Sequence, residues 1–328
     1  MIKSRFFLIL FLFGLVSVYF YWYASTPLRL AQVPLAFDLK PGSSLTGITL
    51  QMKHAGVMDE GVRFRILATV MGKAGKIKAG FYILNESVTP LQLLKKLTSG
   101  DVTSRQIMFI EGWTFSQMRV ALDAYPWIRH ETPAMNERAV LQAVGAPSKH
   151  AEGWFFPATY YINAGSSDVS ILRRAYATMQ MHLQQEWAKR DPDLPYQTPK
   201  DALIMASIIE KETALGSERP LIAAVFINRL RLGMRLQTDP TVIYGLGQNY
   251  DGNIHKRDLQ TDTPYNTYTR AGLPPTPIAM PGLESIHAAL HPAVSDDLYF
   301  VAKGDGSHYF SNNLTAHNRA VARYQKNI

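Results

Sequence analysis

TPKDALIMASIIEKET, residues 198–213, predicts an apolar helix that ends on two carboxylates. Thr198 precedes Pro199, and proline suits the first position of a helix because its missing N–H is not needed there. The apolar side chains that follow are Leu203, Met205, Ile208 and Ile209. Glu210 and Glu212 close the stretch, so the end of this helix is the first candidate for a functional site.

The two carboxylates lie on different faces of the predicted helix, because residues three and four apart share a face. Glu212 lies above Ile208 and Ile209, whereas Glu210 lies above Ser207. Apolar surroundings raise the pKa of a carboxyl group, and a glutamate that stays protonated near neutral pH can act as a general acid. The helix pattern alone favours the alternative, two surface charges at a helix end, because glutamate is rarely buried without a partner.

The N-terminus predicts a membrane anchor. Phe6–Ala24 is an almost unbroken apolar run of 19 residues, close to the roughly 20 that span a bilayer core. Lys3 and Arg5 precede the run and only Arg29 follows closely, so the positive-inside rule places the N-terminus in the cytoplasm. The alternative is a cleaved signal peptide, whose apolar core is shorter and ends in small residues. We expect a retained anchor with the rest of the chain outside.

Residues 35–100 predict a small module with the order strand, helix, helix, strand. Asp59 is a candidate cap for the second helix. Gly80–Leu84 predicts a strand, and Thr89–Gly100 predicts a further helix with proline at its first position. A module of about 65 residues is large enough to fold alone.

Residues 101–328 mix helices and strands, so the predicted fold class is α+β. Thr114 and Gln117 match a capping box. Gln237–Gly282 is too long for a simple connector and predicts a functional loop region with short strands. The other predicted elements are strands within Val102–Ile110 and Leu298–Phe310, and helices at Asp168–Lys189, Ser217–Gly233 and Thr315–Lys326.

The composition excludes several function classes. The chain has no cysteine, which removes disulfides, Cys-ligated zinc and a thiol nucleophile. The net charge is +8, but the basic residues are dispersed and match no nucleic-acid-binding motif, so we expect no nucleic-acid partner. The nine histidines include no His-x-x-x-His pair in a zinc-protease context, so we expect no metal site and no cofactor.

Longer motifs resemble the YceG-like family of endolytic murein transglycosylases. The matching strings are EGWFFP (152–157), SIIEKET (207–213), VFINRL (225–230), MRLQTDPTV (234–242), YNTY (265–268), GLPP (272–275), PG (281–282), HP (291–292) and YFV (299–301). The strings are long and follow the family's order, and the resemblance covers the whole exported part. The resemblance implies a peptidoglycan lytic transglycosylase in a bacterial inner membrane, with its catalytic domain on the outer side.

The resemblance also implies roles for individual residues. The family's catalytic glutamate is the second of its Glu-Lys-Glu-Thr string, which is Glu212 here. Candidate substrate-binding residues are Gln237, Asp239, Asn266, Tyr268 and Glu152. Each has a structural alternative: Asp239-Pro240 also suits a helix N-cap and first position, and Asn266 also suits a turn.

The implied segments are a cytoplasmic N-terminus (1–5), a transmembrane helix (6–24), a linker (25–34), a LysM-like glycan-binding module (35–100) and a catalytic domain (101–328). The implied reaction cleaves the β-1,4 bond between N-acetylmuramic acid and N-acetylglucosamine and closes a 1,6-anhydro ring. Peptidoglycan glycan strands are the expected substrate, and peptidoglycan synthases are expected partners. Two alternatives stay open: a membrane-anchored scaffold that binds peptidoglycan without catalysis, and a muramidase that adds water, with Asp239 as its second carboxylate.

Overall fold

The computed structural model describes residues 2–100, 105–162 and 166–325, and for residues 2–10, 13 and 105 it describes the backbone alone. The described residues form helices and three two-stranded sheets, which confirms the α+β class. It divides into two compact units, residues 1–106 with 161–166 and residues 107–160 with 167–328.

The first unit contains a small sheet covered by helices. Its elements are α1 (Ile2–Ser25), β1 (Leu35–Leu39), α2 (Leu45–His54), α3 (Val62–Val70), β2 (Gly80–Leu84) and α4 (Pro90–Ser99). The order strand, helix, helix, strand is the one predicted from the sequence. The glycan-binding character expected of this module stays a prediction.

The core of this unit forms between the two strands and the helices. β1 and β2 pair antiparallel, with Phe37 opposite Tyr82, and the two rings stack with centroids 5.6 Å apart. α4 begins with Pro90 at its first position, as predicted, and the structure adds a capping box between Thr89 and Gln92. The predicted cap of α3 is wrong: Gly61 occupies the N-cap position rather than Asp59, and it makes no side-chain cap.

The predicted membrane span falls partly outside the described side chains. Among the residues that the structure describes, no helix is both long and apolar enough to cross a membrane. The side chains of residues 6–10 and 13 belong to the predicted span and lie outside the description. The anchor therefore stays a prediction.

The second unit is larger and mostly helical. The elements after α4 are β3 (Arg105–Met108), α5 (Phe115–Asp123), α6 (Glu137–Val144), β4 (Thr159–Ile162), α7 (Asp168–Lys189), α8 (Pro199–Glu212), α9 (Arg219–Arg231), α10 (Asp239–Leu246), α11 (Lys256–Gln260), α12 (Leu283–Leu290), β5 (Tyr299–Ala302), β6 (His308–Ser311) and α13 (Leu314–Tyr324). β3 pairs with β4, and the division between the two units falls within each of these strands. In the second unit, β5 forms an antiparallel hairpin with β6.

Several predicted boundaries match these elements closely. The predicted helix Asp168–Lys189 is confirmed, and so is the capping box of Thr114 and Gln117 at α5. The predicted strand Val102–Ile110 is observed as the shorter β3, and its residues 102–104 lie outside the described part. Residue 326, the end of the last predicted helix, also lies outside it.

α8 is the central helix of the second unit. Every residue from Ala202 to Ile209 is buried, as expected of a helix that is apolar on all sides and has neighbours all round. α12, α9, α7 and α10 pack against it. Ser207, the polar residue in this stretch, is satisfied because its hydroxyl donates to Ile204 O (2.7 Å) and accepts from Ile278 N (3.0 Å). The end of α8 is therefore held rigidly.

The predicted short strands of the loop region are wrong. Residues 237–282, all of them described, form α10, a 3₁₀ turn at Gly247–Asn249 and α11, and contain no strand. The physical reason is local, because Asp239-Pro240 supplies a helix start and Asp258 caps α11 by accepting from His255 N (2.8 Å). The region presents helix ends rather than sheet edges.

Candidate active site

Glu212 is the last residue of α8 and lines a cleft in the second unit. The cleft has a volume of about 510 Å³, within the usual range for small-molecule sites. It is bordered by the end of α8, the start of α10, the β5–β6 hairpin and α13. Glu212 is half-buried, and the Thr238 hydroxyl donates a hydrogen bond to its Oε1.

Burial raises the pKa of Glu212 to about 7. The Thr238 hydrogen bond stabilises the carboxylate and lowers the pKa, while the nearby negative charge of Asp239 raises it. The electrostatic influence of His308 and Arg229 lowers the pKa of Glu212. Near neutral pH this carboxyl therefore populates both protonation states, which a group that first gives and then takes a proton requires.

Glu210, two residues earlier, is bound inside the protein. Its Oε2 accepts from Gly282 N (2.9 Å), the N-cap residue of α12, and from the hydroxyl of Ser285 (2.7 Å) in the first turn of that helix. Its Oε1 lies 3.4 Å from Nη2 of Arg219, and both side chains are nearly inaccessible. Glu210 therefore fastens α8 to the N-terminus of α12, where a carboxylate also suits the helix dipole.

The start of α10 supplies the partner of Glu212. Thr238 has extended backbone and is the N-cap residue, Asp239 is the first helical residue and Pro240 the second. The predicted N-cap at Asp239 is thus wrong by one position. The side chain of Asp239 instead accepts from the Tyr268 hydroxyl (2.6 Å), and both residues line the cleft.

Gln237 lines the cleft in an unusual backbone conformation. Its φ is 54°, a left-handed value that residues other than glycine adopt infrequently. Its backbone N–H donates to Thr267 O (3.2 Å), and its Oε1 accepts from Arg229 (3.4 Å). Its side chain is exposed. Strained residues held by their surroundings cluster at functional sites, which favours Gln237 as a substrate contact.

Asn266 lies two residues before Tyr268, which lines the cleft, but Asn266 itself does not line it. It is 1% exposed, and its amide nitrogen donates to three backbone carbonyls, those of Asp258, Leu259 and Thr261. Its Oδ1 accepts from Tyr268 N (2.8 Å). Asn266 therefore organises the loop that carries Tyr268, and the structure gives its amide no free edge for a sugar.

Glu152 also lies away from the cleft lining. It is 6% exposed, and its carboxyl accepts from Phe115 N (3.0 Å) and from the Tyr244 hydroxyl (3.1 Å). Burial raises its pKa to about 7 against the effect of these hydrogen bonds. Its partners indicate a role in joining the start of α5 to α10, so the predicted substrate contact is not supported by its position.

Two basic residues, Arg229 and His308, also line the cleft and were not among the predicted site residues. Arg229 is 8% exposed and donates to the backbone carbonyls of Leu298 (2.7 Å) and Leu236 (2.8 Å). Glu218 holds His308 with two hydrogen bonds, because its carboxylate accepts from the backbone N–H (2.9 Å) and from the ring Nδ1 (2.7 Å) of His308. Arg229 belongs to the family motif VFINRL (225–230). No sequence motif indicated His308, because its partner Glu218 lies 90 residues away in the chain.

Aromatic side chains form another wall of the cleft. Tyr299 and Phe300 from β5 line it together with His317 from α13. The rings of Tyr299 and His317 stack with centroids 5.0 Å apart, and the Arg229 guanidinium lies 5.0 Å from the Tyr299 ring centre. A cleft with an aromatic wall, polar groups and a carboxyl whose pKa is raised to about 7 suits a polar, ring-shaped substrate such as a sugar.

Comparison with known proteins identifies the family. The sequence profile of the YceG-like family matches residues 37–323. The chain belongs to the YceG-like family. This agrees with the resemblance carried by the motifs, and the match includes every residue of the cleft except Gln325.

Individual relatives agree with this membership. The chain is 34% identical over 304 residues to a Bacillus subtilis (strain 168) protein named endolytic murein transglycosylase, and the match covers 88% of this chain and 84% of the relative. It is 31% identical to a protein of the same name from Streptococcus pneumoniae serotype 2, covering 86% of this chain and 57% of that longer protein. A 2.6 Å crystal structure of a yceG-like protein from Listeria monocytogenes matches with a TM-score of 0.57 at 31% identity, covering 87% of this chain and 98% of that one.

Proposed function

We propose that this chain is an endolytic lytic transglycosylase that cuts peptidoglycan glycan strands, with Glu212 as its acid and base. The single observation that carries the proposal is the Glu212 carboxyl, whose pKa burial raises to about 7 and which faces a sugar-sized cleft. The relatives named endolytic murein transglycosylase support the substrate and the reaction class.

The reaction needs one carboxyl group in two protonation states. Protonated Glu212 gives its proton to the glycosidic oxygen as the bond from C1 of N-acetylmuramic acid to O4 of N-acetylglucosamine breaks. The resulting carboxylate then takes the proton of the muramic C6 hydroxyl, whose oxygen bonds to C1 and closes a 1,6-anhydro ring. No water is consumed, and Glu212 ends protonated as it began.

The surroundings of Glu212 suit this single-carboxyl chemistry. An internal hydroxyl nucleophile has a high effective concentration, so no water-activating second carboxylate is required. Asp239, the other carboxylate on the cleft, is engaged by the Tyr268 hydroxyl. The Thr238 hydroxyl holds Oε1 of Glu212, which fixes the carboxyl in one orientation for both proton transfers.

The proposal extends to where the enzyme works. Phe6–Ala24 anchors the chain in the bacterial inner membrane with residues 1–5 in the cytoplasm, and the catalytic unit faces the peptidoglycan outside. The support is the apolar run with Lys3 and Arg5 before it. The module of residues 35–100 binds glycan in a LysM-like manner, for which its strand–helix–helix–strand order is the support. Peptidoglycan synthases are the proposed partners.

Mass spectrometry of digested peptidoglycan tests the reaction. The full-length protein is incubated with purified peptidoglycan, and the glycan ends of the products are identified by mass. The proposal predicts 1,6-anhydro ends, which are lighter by one water than the reducing ends a muramidase makes. Internal cuts are recognised by products longer than the terminal disaccharide.

Glu210→Gln is the matched control for Glu212→Gln, because both replace a glutamate in the last turn of the same helix. Anhydro products should persist in the first variant and disappear in the second. Reducing ends in the wild type would assign the protein as a hydrolase. An absence of cutting by a folded wild type, with binding to peptidoglycan retained, would favour the non-catalytic scaffold.

A further inference from the structure

The end of α12 carries two histidines on one face. His287 lies in its last turn and His291 is its C-cap residue, so the pair has the spacing i, i+4 that places two imidazoles side by side. Their rings lie 4.4 Å apart between centroids with an interplanar angle of 32°. Neither side chain lines the cleft of Glu212.

A carboxylate from a second helix completes the cluster. Glu186, in the last turn of α7, places Oε2 2.7 Å from Nδ1 of His287 and 3.9 Å from Nε2 of His291. One ligand atom from each of the three side chains lies within 4.8 Å of the other two. Zinc ligands at bond lengths of about 2.0–2.1 Å are roughly 3.3 Å apart around a tetrahedral ion, a separation that these two distances bracket.

An outer carboxylate orients one of the histidines. Asp191 Oδ1 lies 2.9 Å from Nδ1 of His291, and Asp191 N donates to Leu290 O (3.0 Å), which fixes the residue beside α12. A carboxylate on Nδ1 places the ring proton there and leaves the lone pair of Nε2 directed towards Glu186. Protein zinc sites regularly use this carboxylate–histidine–metal arrangement.

We propose that Glu186, His287 and His291 bind a divalent transition-metal ion of the zinc class, with Asp191 as the outer carboxylate. Two imidazole nitrogens and one carboxylate oxygen are a donor set that zinc favours, and a solvent molecule fills the fourth position. The ion links the C-terminal ends of α7 and α12. It stabilises the helix whose first turn holds Glu210, and the proton transfers of Glu212 do not use it.

A second cluster of His and Asp side chains differs from this one because its carboxylate oxygens are already engaged. Asp123, His130 and Asp168 also bring ligand atoms together. The carboxylate of Asp168, however, already accepts from the backbone N–H groups of Glu131 and Thr132 and from the Thr132 hydroxyl (2.7 Å). An oxygen pair so engaged has little capacity left for an ion, so this cluster carries no proposal.

Zinc binding to the full-length protein tests the site without reference to enzymatic activity. The protein is stripped with a chelator, dialysed against a micromolar zinc salt, and the bound metal is measured by elemental mass spectrometry. We expect close to one ion per chain. In thermal unfolding, saturating zinc should raise Tm by roughly 5 °C or more relative to the chelated protein.

Three variants make the result specific. His287→Ala should abolish binding and the Tm shift, and because that side chain is 58% exposed its Tm in chelator should equal that of the wild type. Asp191→Asn keeps all three ligands and should weaken binding about 10–100-fold. His54→Ala, which removes an exposed histidine at the end of α2, should bind zinc as the wild type does.

Two results would overturn the site. The first is a wild-type protein that retains no zinc after dialysis and shows no Tm shift. The second is equal zinc binding by His287→Ala and His54→Ala, which would identify the bound ions as general surface binding. If His287→Ala were unstable in chelator, His291→Ala would take its place with the same expected loss.

Discussion

The last turn of α8 carries two glutamates whose surroundings differ in kind. The carboxylate of Glu210 is enclosed by three donors, the amide of Gly282, the hydroxyl of Ser285 and the guanidinium of Arg219. Among the residues that the structure describes, the carboxyl of Glu212 has one donor, Thr238, and it faces a cleft. Many donors fix a carboxylate in its charged form, whereas burial with a single donor leaves the proton mobile. We therefore propose that the same residue type stabilises the fold on one side of the helix and carries the proton transfers on the other.

The largest expected effect separates the two residues kinetically. Glu212→Gln should lower kcat by about 10²–10⁴-fold, the usual contribution of general acid–base catalysis. Glu210→Gln keeps acceptors for Gly282 and Ser285 and should stay within about tenfold of the wild type, since about one charge-assisted bond is weakened. Rates of anhydro-product formation with purified full-length variants measure both. Equal losses in the two variants would contradict the division of roles.

The second prediction concerns stability, for which Glu210 should matter more than its neighbours. Glu210→Ala removes the nearer carboxylate partner of the nearly buried Arg219 guanidinium, which keeps only Glu111 at 3.9 Å among its described ion pairs. It also removes the acceptor of Gly282 N and of the Ser285 hydroxyl, so it should lower the free energy of unfolding by about 3 kcal/mol. Lys211→Ala, on the exposed residue between the two glutamates, should change it by less than about 0.5 kcal/mol. Denaturant unfolding of the full-length variants gives both values. A Glu210→Ala protein as stable as the Lys211 variant would show that the link to α12 contributes nothing.

The third effect is the pH dependence of stability. The folded pKa of Glu212 is raised from 4.5 to about 7, so the folded state binds this proton more tightly than the unfolded state. The associated stability is present below pH 4.5 and is lost as the pH rises to about 7. Relative to Glu212→Gln, the wild type should lose about 1–3 kcal/mol over this window.

This comparison isolates one group because Glu152, whose pKa is also raised to about 7, titrates equally in both proteins. The measurement is the free energy of unfolding of wild type and Glu212→Gln at a series of pH values. Parallel pH profiles for the two proteins would mean that burial does not perturb Glu212.

The smallest expected effect concerns Thr238, whose hydroxyl donates to the Glu212 carboxyl. Thr238→Val removes the hydrogen bond that lowers the Glu212 pKa, so the pKa should rise and the alkaline decline of kcat/KM should move to higher pH. The rate at the optimum should fall about fivefold, equivalent to a hydrogen bond of about 1 kcal/mol. Thr238→Ser keeps the hydroxyl and should restore the wild-type profile. A Val variant with an unshifted profile would remove Thr238 from the mechanism.

Local sequence signals predicted the parts of this molecule that local physics controls. The helix start at Thr198-Pro199, the capping box of Thr114 and the full length of α7 were readable because caps and periodicity lie within a few residues. The short strands expected in residues 237–282 were wrong, because composition rich in Pro, Gly, Thr and Asn marks turns and helix starts as well as strand ends.

The site was predictable in its central residue and not in its partners. Glu212 followed from the helix pattern together with the family motif. Its partner Thr238 lies 26 residues away in sequence, and two of the three donors of Glu210 lie 72 and 75 residues away. Asn266 and Glu152 carry polar groups that suit a substrate, but their hydrogen bonds turn inward. Whether a polar side chain serves the cleft or the fold depends on contacts that only the folded chain creates.

Titration of the Glu212 carboxyl tests the central claim most directly. Full-length protein with ¹³C-labelled glutamate side chains is followed by NMR as a function of pH, and the Glu212 resonance is assigned by its absence in Glu212→Gln. Our account predicts a midpoint near pH 7 for this carboxyl. A midpoint near 4.5, the value of an unperturbed glutamate, would contradict it.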